Sequence, residues 1–295
     1  MATLAERLGF RATDRVAVVH ADDIGMCHAA NEGAFDALAN GVVTCGSIMV
    51  PCPWFREAAE RARADPALDL GVHLTLNSEW ELYRWGPVAG RDRVPSLLDD
   101  QGYLPRTTLE ALRKAKPEHV EVELRAQIEA ALAAGIDVTH LDSHMGTVLC
   151  PPFVEVYAKL AAEYRLPAFA ARPDSAVLAH AGMAGFEPIL RKAIARLESL
   201  ALPVLDGVDL FSLDFAPGQG DAHTRKRMER LGAGITYFII HPAKDGEELR
   251  AIVSDAHART FEHQFYGSAR GRDAFAKAGI KTIGMRPLRD LVRAA

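Results

Sequence analysis

The chain has 295 residues, 49% apolar, 25% charged and 7% aromatic, enough for one large domain or two modest ones, with an ordinary soluble globular composition. A net charge of −5 and a pI of about 6.1 leave no basic footprint for nucleic acid and no strong attraction to anionic membranes. No window approaches the ~20 consecutive apolar residues that cross a bilayer. Met1 to Arg15 lacks the hydrophobic core of a secretory signal. The four cysteines, Cys27, Cys45, Cys52 and Cys150, form no CxxC pair, so a reducing cytoplasm without structural disulfides is expected.

Along the chain, β-like runs alternate with helical patterns. Arg15–Ala21 reads as a strand that ends at Asp22-Asp23 before Gly25, and 29–39 follows as a helix that stops before Gly41. A strand over 42–50 closes at Pro51 and Pro53, and an amphipathic helix spans 54–64. A third strand covers 69–76.

The segment 77–117 interrupts this rhythm with Trp80, Tyr83, Trp85 and several Gly and Pro, and is too long for an ordinary βα connection. It is expected to be a lid or binding loop on the rim, its aromatics either packing there or stacking on a sugar. Alternation then resumes: helix 118–134 with a Glu121/Arg125 pair, strand 137–144, helix 153–164, strand 167–171 and helix 188–200. A turn-rich stretch, 214–224, precedes strand 234–241, and 272–278 with 280–284 closes the series. Such alternation predicts βαβ units, a parallel sheet and right-handed crossovers: an α/β fold with mainly parallel strands, residues 1–295 forming a single domain.

Four of the strand-like runs end in His or Asp: Val16–Val19 into Asp22-Asp23, Leu70-Gly71-Val72-His73, Val138 to His144, and Tyr237 to His241-Pro242. Acid/base and metal-ligating side chains gathered at strand ends suit a metal-dependent hydrolase on a parallel α/β scaffold. Adjacent residues of an extended chain point to opposite sides, so one carboxylate of the Asp pair can bind a metal while its neighbour reaches the reacting water. Helix capping is the alternative. In His140-Leu141-Asp142-Ser143-His144 the alternate residues share one face, with His144 nearest the mouth and Asp142 and His140 deeper, where a partner would orient a ligating imidazole.

An Asp with two His makes a first shell for a divalent ion that leaves room for water and substrate. His241 could act as an acid or close the fold structurally. Arg172 could hold a substrate oxygen or make a rim salt bridge. Cys27 reads as small-residue filler, and His28, His119, His180, His223, His257 and His263 as surface residues.

His20-Ala21-Asp22-Asp23-Ile24-Gly25, Gly71-Val72-His73-Leu74-Thr75, Thr139-His140-Leu141-Asp142-Ser143-His144, Ile240-His241-Pro242 and Gly279 to Gly284 stand in order over residues 16–284. With these motifs the chain resembles the YdjC/ChbG-type carbohydrate deacetylases, which include the hopanoid-linked HpnK branch. The resemblance implies a distorted or incomplete (β/α) TIM-like barrel, with Asp23, His73 and His144 as metal ligands, Asp22 as general base and His241 as the acid. It further implies one divalent ion (zinc or magnesium first, manganese or cobalt next), an N-acetylated carbohydrate substrate and a homodimer. Two departures bear on the substrate: Met145-Gly146 follows the Asp-Ser-His element where familiar members often carry further histidines, and the insertion around Trp80–Trp85 is unlike the compact chitooligosaccharide-acting members. A hydrolase of esters or non-sugar amides, or a carbohydrate-binding protein on the same scaffold, are the alternative readings.

Overall fold

The computed structural model describes residues 2–172, 174–180, 185 and 187–294, with the side chains of Ala176, Val177 and His180 outside that description. The surface expectation for His180 therefore lies outside the described residues. Among the described residues, seven strands form one sheet: β1 (Arg15–Ile24), β2 (Cys45–Ile48), β3 (Leu70–Leu74), β4 (Val138–Ser143), β5 (Gly207–Asp209), β6 (Gly234–Ile240) and β7 (Ile280–Thr282). The order is β4-β3-β2-β1-β6-β5, and every pairing is parallel. Helices such as His28–Asn40, Phe55–Ala64, Pro117–Ala133 and Val154–Tyr164 supply the crossovers.

β1 is the hub. One flank pairs with β6 along Arg15–Ala21, while the other holds β7 at Arg15–Ala17 and β2 from His20 onward. Its apolar residues alternate between two cores, as a period of two requires. Val16 and Val18 join an inner cluster with Phe169, Leu205, Ile235 and Tyr237, and Ala17, Val19 and Ala21 join the larger cluster beneath the helices. Among the described residues, the ring between β4 and β5 is bridged at Leu141–Ala168 and Ala171–Leu205. The predicted strand 167–171 is thus reduced to isolated bridges, and the result is the distorted α/β barrel the sequence implied.

Further boundaries differ from expectation, among them the second strand, expected over 42–50 and found at Cys45–Ile48. β1 runs on to Ile24, so the Asp pair lies inside the strand, and the register against β2 shifts between Ala21 and Ile24. The stretch 214–224 is turn-like only at first, because helix Gly220–Arg230 begins within it.

The insertion 77–117 is a folded cap. It carries a 3-10 turn at Pro95–Leu97 and a helix at Thr108–Lys114, opened by a reciprocal Thr107/Glu110 capping box. Buried Glu123 accepts the Val88 and Ala89 N–H groups at 3.0 and 2.9 Å. The Trp85 indole donates to the Asn77 carbonyl at 2.8 Å, and Tyr83 donates to the Met26 carbonyl at 2.6 Å. Trp80, Tyr83 and Trp85 meet one another at tilted or edge angles, and Trp85 is only 3% exposed. Packing is what holds Trp85 and Tyr83.

Gly33 sets the seat of helix His28–Asn40 against the chain that follows β6. A Cβ at Gly33 would lie 2.5 Å from the Ala243 Cα, two residues beyond His241. Gly33→Ala should therefore lose stability by about 1–2 kcal/mol, since overpacking of about 1–3 kcal/mol outweighs a helix-propensity gain of up to about 1 kcal/mol. Urea unfolding midpoints would show the sign; a more stable variant would mean that this contact yields.

Candidate active site

Asp22, Asp23, His73, His144 and His241 stand at or just beyond the C-terminal ends of the parallel strands, the rim where such folds place their sites. Asp23 has φ +65°, a left-handed backbone that costs a non-glycine residue about 1–2 kcal/mol. That turn, with the register shift beside it, cancels the alternation expected of neighbouring strand residues. Asp22 Oδ2 and Asp23 Oδ1 both face His73, at 3.8 and 3.5 Å from its Nε2. The two carboxylates share one space instead of facing opposite sides.

Asp23, His73 and His144 come together, all buried, with their donor atoms within 4.8 Å of one another. Asp23 Oδ1 lies 3.3 Å from His144 Nδ1 and yet has no hydrogen-bond partner, although it is buried. The reason is visible on the far side of each ring. His73 uses Nδ1 to donate to Asp142 Oδ1 at 2.8 Å, and His144 uses Nε2 to donate to Glu79 at 3.0–3.1 Å. In the neutral rings the nitrogens facing Asp23 are therefore lone pairs. Two imidazole lone pairs converging on one orphaned, buried carboxylate oxygen fit a divalent cation.

The electrostatics agree. Burial alone would raise the Asp23 carboxyl, but Arg259, donating to Oδ2 at 2.7 Å, with His144 and His73, holds it well below the usual range. Burial opposes charge on both imidazoles. Nevertheless Asp142 and Asp22 lift His73 well above its ordinary value, and Glu79 and Asp23 bring His144 up to about 9. These carboxylates attract positive charge.

Asp142 sits where the strand pattern put it, below the rim, and also accepts from Ser47 at 2.8 Å and Tyr237 at 3.2 Å. His140 does not touch His144; it pairs with His20 at 2.8 Å. Asp22 meets His20 Nδ1 through Oδ1 at 2.6 Å, and its Oδ2 stands 3.8 Å from His241 Nε2. His241 Nδ1 lies 2.9 Å from Ser212 Oγ, which donates to Glu262 at 2.8 Å. Glu262 also accepts the His241 backbone N–H at 2.6 Å and buried Arg227 at 3.0 Å. His241 is thus braced on one side, with its Nε2 turned to Asp22.

The family model described as YdjC-like protein matches residues 16–277. The chain belongs to the YdjC-like family. Among curated relatives, a carbohydrate deacetylase of Thermus thermophilus is 39% identical over 84% of this chain and 85% of its own length. Another, from Geobacillus stearothermophilus, is 33% identical over 78% and 80%. A crystal structure from Enterococcus faecalis V583, of a protein with a suggested role in cellobiose-phosphate cleavage, superposes with a TM-score of 0.74 at 25% identity, covering 93% of this chain and 99% of that one.

Several residues of this YdjC-like site escaped the sequence reading. Glu79 lies in the aromatic insertion, and Arg259 and Glu262 lie three apart on helix Ala256–Tyr266, an element the reading passed over. His20 had a signal: it precedes Asp22 by two, hence shares its strand face. Cys27 is inert, its thiol pushed up to about 12 chiefly by burial. Arg172 is exposed and pairs with Glu198 at 2.7 Å, the rim salt bridge of the two readings.

His140 gives the barrel an acid-sensitive element. Burial first, then His20, pushes it down to about 3. The unfolded chain binds a proton at about 6.5 that the folded protein refuses until about 3. Stability should therefore fall as pH drops through that window, by up to about 1.4 kcal/mol per pH unit from this group. Urea unfolding from pH 7 to 4 measures the slope, and His140→Gln, where it folds, should flatten it.

Proposed function

We propose that this chain is a metal-dependent deacetylase that hydrolyses the acetamide of an N-acetylated sugar, oligosaccharide or glycoconjugate to acetate and an amino sugar. The curated relatives carry the name carbohydrate deacetylase, and the buried, partnerless Asp23 Oδ1 between two lone-pair nitrogens supports the metal. Asp23, His73 and His144 would hold the ion; zinc or magnesium is the expected choice, and manganese or cobalt suits the same donors. Such an ion, when bound, polarises the carbonyl and eases deprotonation of water.

The protein's own groups do the rest. Asp22 Oδ2 accepts the proton of the attacking water, because Oδ1 is already engaged by His20. His241 delivers a proton from Nε2 to the leaving nitrogen as the C–N bond breaks, and Ser212 with Glu262 steadies the ring on its Nδ1 side. Asp22 and His241, 3.8 Å apart, are close enough for the proton taken from water to reset the acid. Asp142 and Glu79 keep the two ligating rings in the required tautomers. The same reading treats residues 1–295 as one domain acting in the cytoplasm, consistent with free Cys27, Cys45, Cys52 and Cys150. No described helix is long and apolar enough to cross a membrane.

Acetate release from N-acetylglucosamine, N-acetylgalactosamine and N,N′-diacetylchitobiose, set against p-nitrophenyl acetate, separates this activity from an esterase. Asp22→Asn should keep its cation by metal analysis and lose about 10²–10⁴-fold in turnover. His73→Ala and His144→Ala should lose cation and turnover together. An Asp22→Asn protein as fast as the parent would remove Asp22 from the mechanism.

A further inference from the structure

Inside the barrel a line of hydrogen bonds leads away from Asp22. His20 Nδ1 is 2.6 Å from Asp22 Oδ1, and His20 Nε2 is 2.8 Å from His140 Nε2. His140 Nδ1 lies 2.9 Å from Thr139 Oγ1, and Thr139 donates to Asp69 Oδ1 at 2.5 Å. His20, Thr139 and His140 have no exposed surface, so bulk water offers them no other partner. Gly71 makes the space: a Cβ there would lie 2.6 Å from the His140 ring. Tyr237 stacks on His20 with ring centres 4.6 Å apart, fixing the ring plane.

The far end sets the direction of the line. Asp69 accepts the Arg286 backbone N–H at 2.7 Å as well as the Thr139 hydroxyl. With its single hydrogen given to Asp69, Thr139 can only accept from His140, so the His140 hydrogen is on Nδ1. Buried and neutral, His140 then offers a lone pair at Nε2 and accepts from His20 Nε2–H. His20 is left facing Asp22 with Nδ1 alone, and one proton lies between that nitrogen and Oδ1.

We propose that His20 is a positioning residue for Asp22, holding Oδ1 through Nδ1 so that Oδ2 is the oxygen that meets substrate water, with the Asp69–Thr139–His140 line fixing which way His20 faces. This rests on Asp22 being the base of the deacetylase reading. Oδ2 is the atom 3.8 Å from both His73 Nε2 and His241 Nε2, so a carboxylate rotated about its bond would lose both relations at once. A misplacement of about 1 Å at a reacting group costs on the order of 10²-fold in rate.

Three variants of the zinc-loaded protein test the assignment on the N-acetylated sugar panel. His20→Ala should keep its zinc and its KM and lose about 10²-fold in kcat. His20→Asn, whose Nδ2–H occupies the place of the imidazole Nδ1, should recover most of that loss. Asp22→Asn runs beside them. An inactive Asp22→Asn with a fully active His20→Ala would overturn this inference alone, and a fully active Asp22→Asn would overturn it together with the reading beneath it. Loss of zinc in His20→Ala, or a His20→Asn no faster than His20→Ala, would also overturn it. Nitrogen-15 spectra of the imidazoles, which need no substrate, should show His140 with its proton on Nδ1; a proton on Nε2 would overturn the assignment of Asp69 as the end that sets the direction of the line.

Discussion

The site depends on gathering carboxylates where water is scarce. Asp22, Asp23 and Glu79 meet at one barrel mouth with Asp142 just below it, and ionised groups so placed are costly unless opposite charge is close. Among the described residues, Arg259 is the one guanidinium or ammonium group paired with any of the four. One arginine does not offset four carboxylates. The remainder is met by imidazoles, whose raised protonation is the local response to this field, and a cation would answer the same demand with fewer protons. The orphaned oxygen of Asp23 and the lifted imidazoles are two expressions of a single imbalance.

A rigid scaffold is needed to sustain such an arrangement. The parallel sheet provides it by ending several strands on one rim, while the inner apolar cluster of Val16, Val18, Ile235 and Tyr237 fills the barrel below. Between these layers lies a polar tier, His20, His140, Thr139 and Asp69, in which each member uses its neighbour as partner. A buried tier of this kind is tolerable because it is saturated, and being saturated it is also directional.

Much of this was legible in the residues. Apolar runs ending in Asp or His located the rim, and a period of two put Asp142 below His144 on the same strand face. The alternation rule failed at the Asp pair because it assumes an extended backbone, and the left-handed turn at Asp23 is a tertiary outcome that no local pattern announced. Glu79 and Arg259 were hidden for a different reason. Their contacts with His144 and Asp23 span 65 and 236 positions, and a charged residue in a loop or on an unread helix carries no mark of the partner folding will give it. The aromatic insertion looked equally like packing and like a sugar platform, because burial decides between them and composition does not.

The position of β7 has a bearing on how the protein is made. Synthesis proceeds from the N-terminus, and domains tend to form in that order. Asp23, His73 and His144 therefore leave the ribosome long before Arg259 and before Ile280–Thr282, which takes its place on the free flank at the start of β1. A nascent chain holds its anionic and imidazole donors without their guanidinium counterweight, and the strand that bears the Asp pair has one neighbour still to come. Completion of the sheet around β1 is accordingly one of the last events of translation, and a chain cut short before residue 280 carries Asp23, His73 and His144 while lacking the strand that pairs with Arg15–Ala17.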